Sequence, residues 1–154
     1  MIRPAVPDDR AGVVALLEAM HREAGSHRPD GGATGFAFEF RAPYADRLFG
    51  LHCGQAEACC LVLDLGVGPA GVLLARAAPH LFGPVKIACE TAWYIAPDHR
   101  GRWALKMLSA YEDWARSRGC QLVDLAGMGA DPAVAVLYRR RGFRAAETHY
   151  LKAL

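Results

Sequence analysis

The stretch from Glu90 to Gly101 constrains the fold of this chain more than any other segment. Its sequence, ETAWYIAPDHRG, is an apolar run that stops at Pro97 and continues into a basic turn with a glycine. A helical pattern follows over roughly 102–118 and ends at Gly119. Its residues at helical spacing, most of them apolar, are Ala104, Leu105, Leu108, Tyr111, Glu112 and Ala115. We predict a strand, a turn and a capped helix. The first N–H groups of such a helix commonly bind anions, although an ordinary strand-turn-helix stays the alternative.

Length and composition limit the class of protein. The chain has 154 residues, which predicts one domain over 1–154 with its own core. Hydrophobic residues make up 53% and charged residues 22%, and the net charge of +2 is too small to argue for a nucleic acid or a membrane surface. We also expect no membrane span and no secretion signal, because neither pattern is present.

Cysteine and histidine spacing argues against disulfides and metals. The cysteines are odd in number and lie mostly in or beside apolar runs, at Cys53, Cys59, Cys60, Cys89 and Cys120. We therefore expect reduced thiols in a cytoplasmic protein. The six histidines show neither His-x-x-x-His nor Cys/His spacing, so no metal site is expected.

The remaining pattern predicts a mixed α/β domain. Strands are expected over 1–5, 58–65, 71–78, 85–96, 121–127 and 148–151. Helices are expected from 7 to about 25 and over 43–52, 102–118 and 132–142. This order predicts a mostly antiparallel sheet with helices on both faces. The glycine-rich segment 26–35 is either a loop that covers a substrate or an idle surface loop.

One motif invites a different interpretation. Gly66 to Gly71 spells G-x-G-x-x-G, the pattern of a dinucleotide-binding loop. That loop requires a helix to begin within it, whereas here the apolar run Gly71 to Ala78 is followed at once by Pro79. We therefore predict a β-hairpin turn at this point.

Two segments resemble the signature segments of the GNAT superfamily of acyl-CoA-dependent N-acyltransferases. They are Pro97-Asp98-His99-Arg100-Gly101 with its helix, and Leu137-Tyr138-Arg139-Arg140-Arg141-Gly142-Phe143. The resemblance covers most of the chain and is weakest in the N-terminal third. It implies a GNAT-like fold and an N-acetyltransferase that uses acetyl-CoA on a primary amine of a small molecule or protein. A homodimer stays open.

The resemblance also implies cofactor-binding residues. Backbone groups of the strand would pair with the pantetheine arm at Trp93, Tyr94 and Ile95, and the turn would bind the pyrophosphate through Arg100, Gly101, Arg102, Trp103 and Ala104. The turn is degenerate, because Trp103 and Leu105 stand where the family has glycine and glycine or alanine. We expect the Trp103 indole to turn toward the core or over the adenine.

Two residues are candidates for proton transfer. Glu90 is the acid within the strand that leads to the turn, and it would act as the base if partial burial raises its pKa. Pairing with an arginine, or exposure on the other side of the strand, is the alternative for Glu90. Tyr138 matches the family tyrosine that would protonate the leaving thiolate, and packing on Phe143 is its alternative. Asp131 would cap the last helix or lie near the cofactor.

Three functions follow as hypotheses. The first is the N-acetyltransferase already described. The second is a GNAT-fold module that binds acyl-CoA or a partner without catalysis, because its turn has lost the two small residues. The third is an unrelated mixed-sheet domain whose strand-turn-helix imitates the family.

Overall fold

A computed structural model describes residues 1–128 and 134–154 of the chain. These residues form two compact units. The first comprises Met1–Met20 with Arg41–Leu125, and the second comprises His21–Phe40 with Ala126–Leu154. No helix in the described ranges is both long and apolar enough to cross a membrane. The candidate Asp131 and the predicted helix start at Pro132 lie outside the described residues.

The first unit is built on a five-stranded sheet in which the strands follow chain order. The strands are β1 (Ile2–Pro4), β2 (Ala58–Asp64), β3 (Pro69–Pro79), β4 (Lys86–Ile95) and β5 (Leu122–Asp124). The first four pair antiparallel, and β5 runs parallel to β4. The mixed, mostly antiparallel sheet predicted from the sequence is therefore confirmed.

Helices cover both faces of this sheet, as predicted. The helices are α1 (Arg10–Glu23), α2 (Ala42–Gly54) and α3 (Arg102–Ser117). Alternate residues of the strands form a buried cluster with α3, made of Cys59, Leu61, Leu63, Leu73, Ala75, Ala88, Ile95, Met107, Tyr111 and Ala115. The intervening residues Val62, Val72 and Leu74 are fully buried on the opposite face, where α2 packs against β2 and β3.

The G-x-G-x-x-G segment is a hairpin turn, as predicted. It joins β2 to β3, which pair antiparallel on either side of it. Gly66 and Gly68 have φ values of 92° and 103°, which side chains rarely adopt. No helix begins in this segment, since β3 occupies Pro69–Pro79, so a dinucleotide-binding loop is excluded here.

An ion-pair network ties the N-terminus to the sheet. Arg3 on β1 binds Asp9 at 2.7 Å and Asp64 at 2.8 Å. Asp9 is 5% exposed and also accepts the backbone N–H of Val6 at 2.8 Å. The hydrogen bond from Arg3 is the main reason why the pKa of Asp9 lies below its usual value.

The second unit contains the last helix, α4 (Ala135–Arg140). Its Tyr138 hydroxyl donates to the carbonyl of Ala126 at 2.8 Å, and the Tyr138 and Phe143 rings lie 5.9 Å apart. The strand predicted over 148–151 is wrong, because these residues are in no strand and Tyr150 is 91% exposed. Two neighbouring apolar side chains do not make a strand without a partner to bond its backbone.

Candidate active site

β4 contains an irregularity that the sequence did not predict. Along the antiparallel ladder Ala75 pairs with Glu90, but Leu74 pairs with Ala92. Thr91 is therefore an extra residue on β4, which is the definition of a β-bulge. Because paired residues share a face of the sheet, Glu90 lies on the side of α3 with Ala75. The bulge therefore lies between Glu90, the candidate base, and the candidate cofactor-binding residues Trp93, Tyr94 and Ile95.

The pairing between β4 and β5 ends just before this bulge. Within the described residues, β5 pairs with β4 only at Ile87, Ala88 and Cys89, whereas β4 continues to Ile95. Trp93, Tyr94 and Ile95, whose backbone groups the family resemblance assigns to the pantetheine arm, lie in this part of β4. Beyond Cys89, β5 does not pair with this edge of β4 in the described residues, and an extended chain with amide groups is the kind of ligand that pairs with a strand edge.

A tyrosine and an aspartate hold the two strands together at the point of divergence. The Tyr111 hydroxyl from α3 lies 2.8 Å from the carbonyl of Ala88 and 3.1 Å from that of Asp124. The Asp124 carboxylate accepts the backbone N–H of Glu90 at 3.2 Å. Tyr111 is fully buried, and this burial raises its pKa. Tyr111 in the core and Asp124 at the end of β5 therefore both hold β4 and β5 together where their pairing ends.

The turn after β4 leads into an open helix N-terminus. Pro97–His99 form one 3₁₀ turn, and Gly101 then takes φ 77° and ψ −114°. The first backbone bond of α3 runs from the N–H of Ala104 to the carbonyl of Gly101, so the N–H groups of Arg102 and Trp103 precede it. In the described part of the chain, no side chain caps this end. Such an end favours an anion.

Cationic side chains surround this helix N-terminus. Arg100 donates from Nε to the carbonyl of Ile95 at 2.9 Å, and its guanidinium lies 5.4 Å from the centre of the Tyr94 ring. Arg102 and Lys106 lie 5.3 Å and 4.7 Å from the centre of the Trp103 ring. The Trp103 indole packs against the core cluster, as predicted. A phosphate-bearing ligand is therefore electrostatically compatible with the turn.

The two candidates for proton transfer belong to different units. Glu90 is half-buried on β4 in the first unit, and Tyr138 is on α4 in the second. The contact of Tyr138 with Phe143 proposed as its alternative is present, and its hydroxyl already binds Ala126. Their catalytic roles stay predictions.

Metal-dependent catalysis and catalysis by a cysteine nucleophile are less compatible with the described residues. No group of three or more His, Cys, Asp or Glu gathers into a metal site in 1–128 and 134–154. Burial raises the pKa of Cys59 to about 12 and also raises that of Cys120. Such thiols are poor nucleophiles at neutral pH.

Comparison of the sequence with models of protein families identifies the family of this chain. The model described as Acetyltransferase (GNAT) family matches residues 19–143. The chain belongs to the GNAT acetyltransferase family. No curated protein sequence matches it. The resemblance inferred from Pro97–Gly101 and the segment around Tyr138 is therefore confirmed at the level of the family.

Solved structures of other GNAT proteins share the fold. A ribosomal-protein-alanine N-acetyltransferase from Brucella melitensis biovar Abortus 2308 has a TM-score of 0.71 at 19% identity, and the match covers 100% of this chain and 99% of that one. An acetyltransferase from Trypanosoma brucei gives 0.73 at 16% identity with the same coverage. An aminoglycoside acetyltransferase from an uncultured soil metagenomic sample gives 0.69 at 20% identity, covering 100% and 97%. At these identities the likeness concerns the fold alone.

Sequence reasoning missed three residues of the candidate site. Thr91 and Tyr111 were treated as parts of apolar patterns, and Asp124 as part of a strand. An acid at the end of a short apolar run was the available signal for Asp124. The bulge had no signal in the sequence, because it is defined by the pairing between β4 and β3.

Proposed function

We propose that this GNAT protein is an N-acetyltransferase that transfers the acetyl group of acetyl-CoA to a primary amine. The observation that carries the proposal is the continuous path from the part of β4 beyond its last pair with β5 to the N-terminus of α3, which no side chain caps in the described residues. One end of the path offers backbone groups to an amide-bearing chain, and the other offers N–H groups and cations to phosphates.

The residues at this path are compatible with acetyl-CoA. Trp93, Tyr94 and Ile95 would pair with the pantetheine arm, and the turn would bind the pyrophosphate through Arg100, Gly101, Arg102, Trp103 and Ala104. A Cβ atom added at Gly101 would meet no heavy atom within 4 Å, so the space in front of the turn is open. The packing of Trp103 against the core cluster also supports this assignment, since its indole is accommodated there.

Acetyl transfer makes defined demands on the protein's own groups. A C–N bond forms while the thioester C–S bond breaks, so the amine must be neutral when it attacks and the thiolate must gain a proton. Glu90 is the proposed base, because it lies half-buried at the bulge, directly after the last pair between β4 and β5. Tyr138 is the proposed acid, because its phenol can donate a proton directly or through water.

Binding and turnover can be tested separately. Acetyl-CoA at one hundred times its dissociation constant should stabilise the protein by about 2.7 kcal/mol, which thermal unfolding detects. A panel of amines is then assayed by release of free thiol. The panel includes a ribosomal-protein peptide and an aminoglycoside, because two structural neighbours are named for such acceptors.

The outcomes distinguish the competing functions. Stabilisation together with amine-dependent thiol release supports the enzyme. Stabilisation without release from any amine would instead support a binding module. Absence of both would overturn acetyl-CoA recognition altogether. A cytoplasmic location and a small-molecule or protein acceptor are part of the same proposal, as is the absence of nucleic-acid and membrane partners.

A further inference from the structure

A buried histidine contacts the bulge of β4. His52 on α2 is 3% exposed, and both of its ring nitrogens have partners. Nδ1 lies 2.8 Å from the carbonyl of Leu48, and Nε2 lies 2.9 Å from the hydroxyl of Thr91. A carbonyl only accepts, so Nδ1 carries the proton of the neutral ring. Nε2 is then an acceptor, and the Thr91 hydroxyl donates to it.

The surroundings of His52 favour this neutral ring. Burial is the largest cause that lowers its pKa, and the positive charge of Arg76 on β3 lowers it further. The hydrogen bond with Leu48 acts in the opposite direction but does not outweigh burial. His52 therefore stays neutral around pH 7, and the direction of the hydrogen bond from Thr91 is maintained.

Thr91 occupies a position from which it can reach a ligand. It is the extra residue of the bulge, and it lies just beyond the last pair between β4 and β5. Its side chain is exposed although its partner His52 is buried. A threonine hydroxyl normally rotates to suit its surroundings. Here the hydroxyl donates its proton to Nε2 of His52, so the lone pairs of its oxygen can accept a hydrogen bond from a ligand.

We propose that the Thr91 hydroxyl oxygen accepts a hydrogen bond from the N–H of the acceptor amine, and that His52 is the positioning residue that fixes this hydroxyl. The inference rests on the proposed N-acetyltransferase function and adds a subsite to it. A primary amine fits, because it can donate one N–H to Thr91 and keep its lone pair for the reaction. The subsite contributes to acceptor binding and leaves acetyl-CoA binding unaffected.

The first experiment removes the hydroxyl while keeping the shape of the side chain. Thr91→Val should raise the KM of the amine about 3- to 10-fold, the value of one ordinary hydrogen bond, with the KM of acetyl-CoA unchanged. Thr91→Ser keeps the hydroxyl and should stay within about twofold of the wild type. Thermal unfolding verifies that both variants fold. An unchanged amine KM in Thr91→Val overturns the subsite.

The second experiment tests whether His52 acts through Thr91. His52→Leu should raise the amine KM without changing that of acetyl-CoA, and His52→Gln, whose amide can accept from Thr91, should restore part of the loss. In the double variant with Thr91→Val, the amine KM should equal that of Thr91→Val alone. Effects that multiply in the double variant would overturn the positioning role.

The wild-type assay separates the two levels of proposal. Amine-dependent thiol release by the wild type with no specific effect of the Thr91 and His52 variants refutes the subsite and leaves the enzyme proposal intact. Absence of thiol release by the wild type refutes the proposed function, and the subsite is refuted with it.

Discussion

Replacing Gly101 by alanine isolates the conformational requirement of the turn. Gly101 has φ 77° and ψ −114°, a combination far from the left-handed helical region that other residues occasionally visit. The added methyl group would meet nothing within 4 Å, so there is no clash to relieve. The cost is therefore purely that of holding an unfavourable backbone conformation, which is about 1–3 kcal/mol.

Two measurements follow from this cost. The free energy of unfolding from urea titration should fall by about 1–3 kcal/mol, and the Tm should fall by about 2–4 °C per kcal/mol. If the turn relaxes instead, the N–H groups of Arg102 and Trp103 are re-aimed. The affinity for CoA in calorimetry should then fall by about tenfold or more, the value of one hydrogen bond to a charged group.

Two other glycines provide matched controls. Gly66 has φ 92° and equally open space, but it lies in the β2–β3 hairpin, so Gly66→Ala should cost stability without changing CoA affinity. Gly54 has open space and an ordinary φ, so Gly54→Ala should change little. The reasoning is refuted if Gly101→Ala is no more destabilising than Gly54→Ala and binds CoA as the wild type does.

Three further predictions concern charge and proton transfer. Arg100→Ala should weaken CoA binding by about 1.5–3 kcal/mol in calorimetry, and an unchanged dissociation constant would remove Arg100 from the site. Tyr138→Phe should lower turnover by ~10²–10⁴-fold with folding and acceptor KM nearly constant, and should remove the alkaline limb of the rate profile; persistence of that limb would exclude Tyr138 as the acid. The pKa of Asp9 is lower in the folded state than in the unfolded chain. The bond between Asp9 and Arg3 therefore stabilises the fold above the unfolded-state pKa of Asp9, and this stabilisation is lost as the pH falls through the folded-state pKa. Asp9→Asn should therefore flatten the loss of stability in urea titrations from pH 7 to pH 3, and an unaltered acid limb would contradict this.

The strand-turn-helix could be predicted from the sequence because its signals are local. Pro97 cannot continue the strand ladder, and Gly101 supplies the backbone conformation at which α3 begins. Both signals act within a few residues of the place where they stand. The hairpin at Gly66 was predictable for the same reason, since the nearby Pro79 excludes a long helix.

Features that depend on pairing between distant segments could not be predicted in this way. The bulge at Thr91 is defined by the register of β4 against β3, and the point at which β4 and β5 cease to pair depends on where β5 ends. His52 illustrates the same limit. Its helical position was predicted correctly, but its bond to Thr91 joins residues 39 positions apart. The predicted strand over 148–151 failed because local apolar character does not supply a partner strand.

The degenerate turn is explained by the face of α3 on which its large residues lie. Trp103 precedes Met107, Tyr111 and Ala115 at intervals of four, which places all of them on the stripe that faces the sheet. Its indole therefore belongs to the core stripe of the helix, and this could have been predicted from the spacing. Leu105 was assigned to the apolar face from the sequence, but it is 43% exposed and lies off the stripe. The substitution of glycine by tryptophan thus extends the core of α3 by one turn, so the loss of the glycine pattern is not by itself evidence that the anion site is lost.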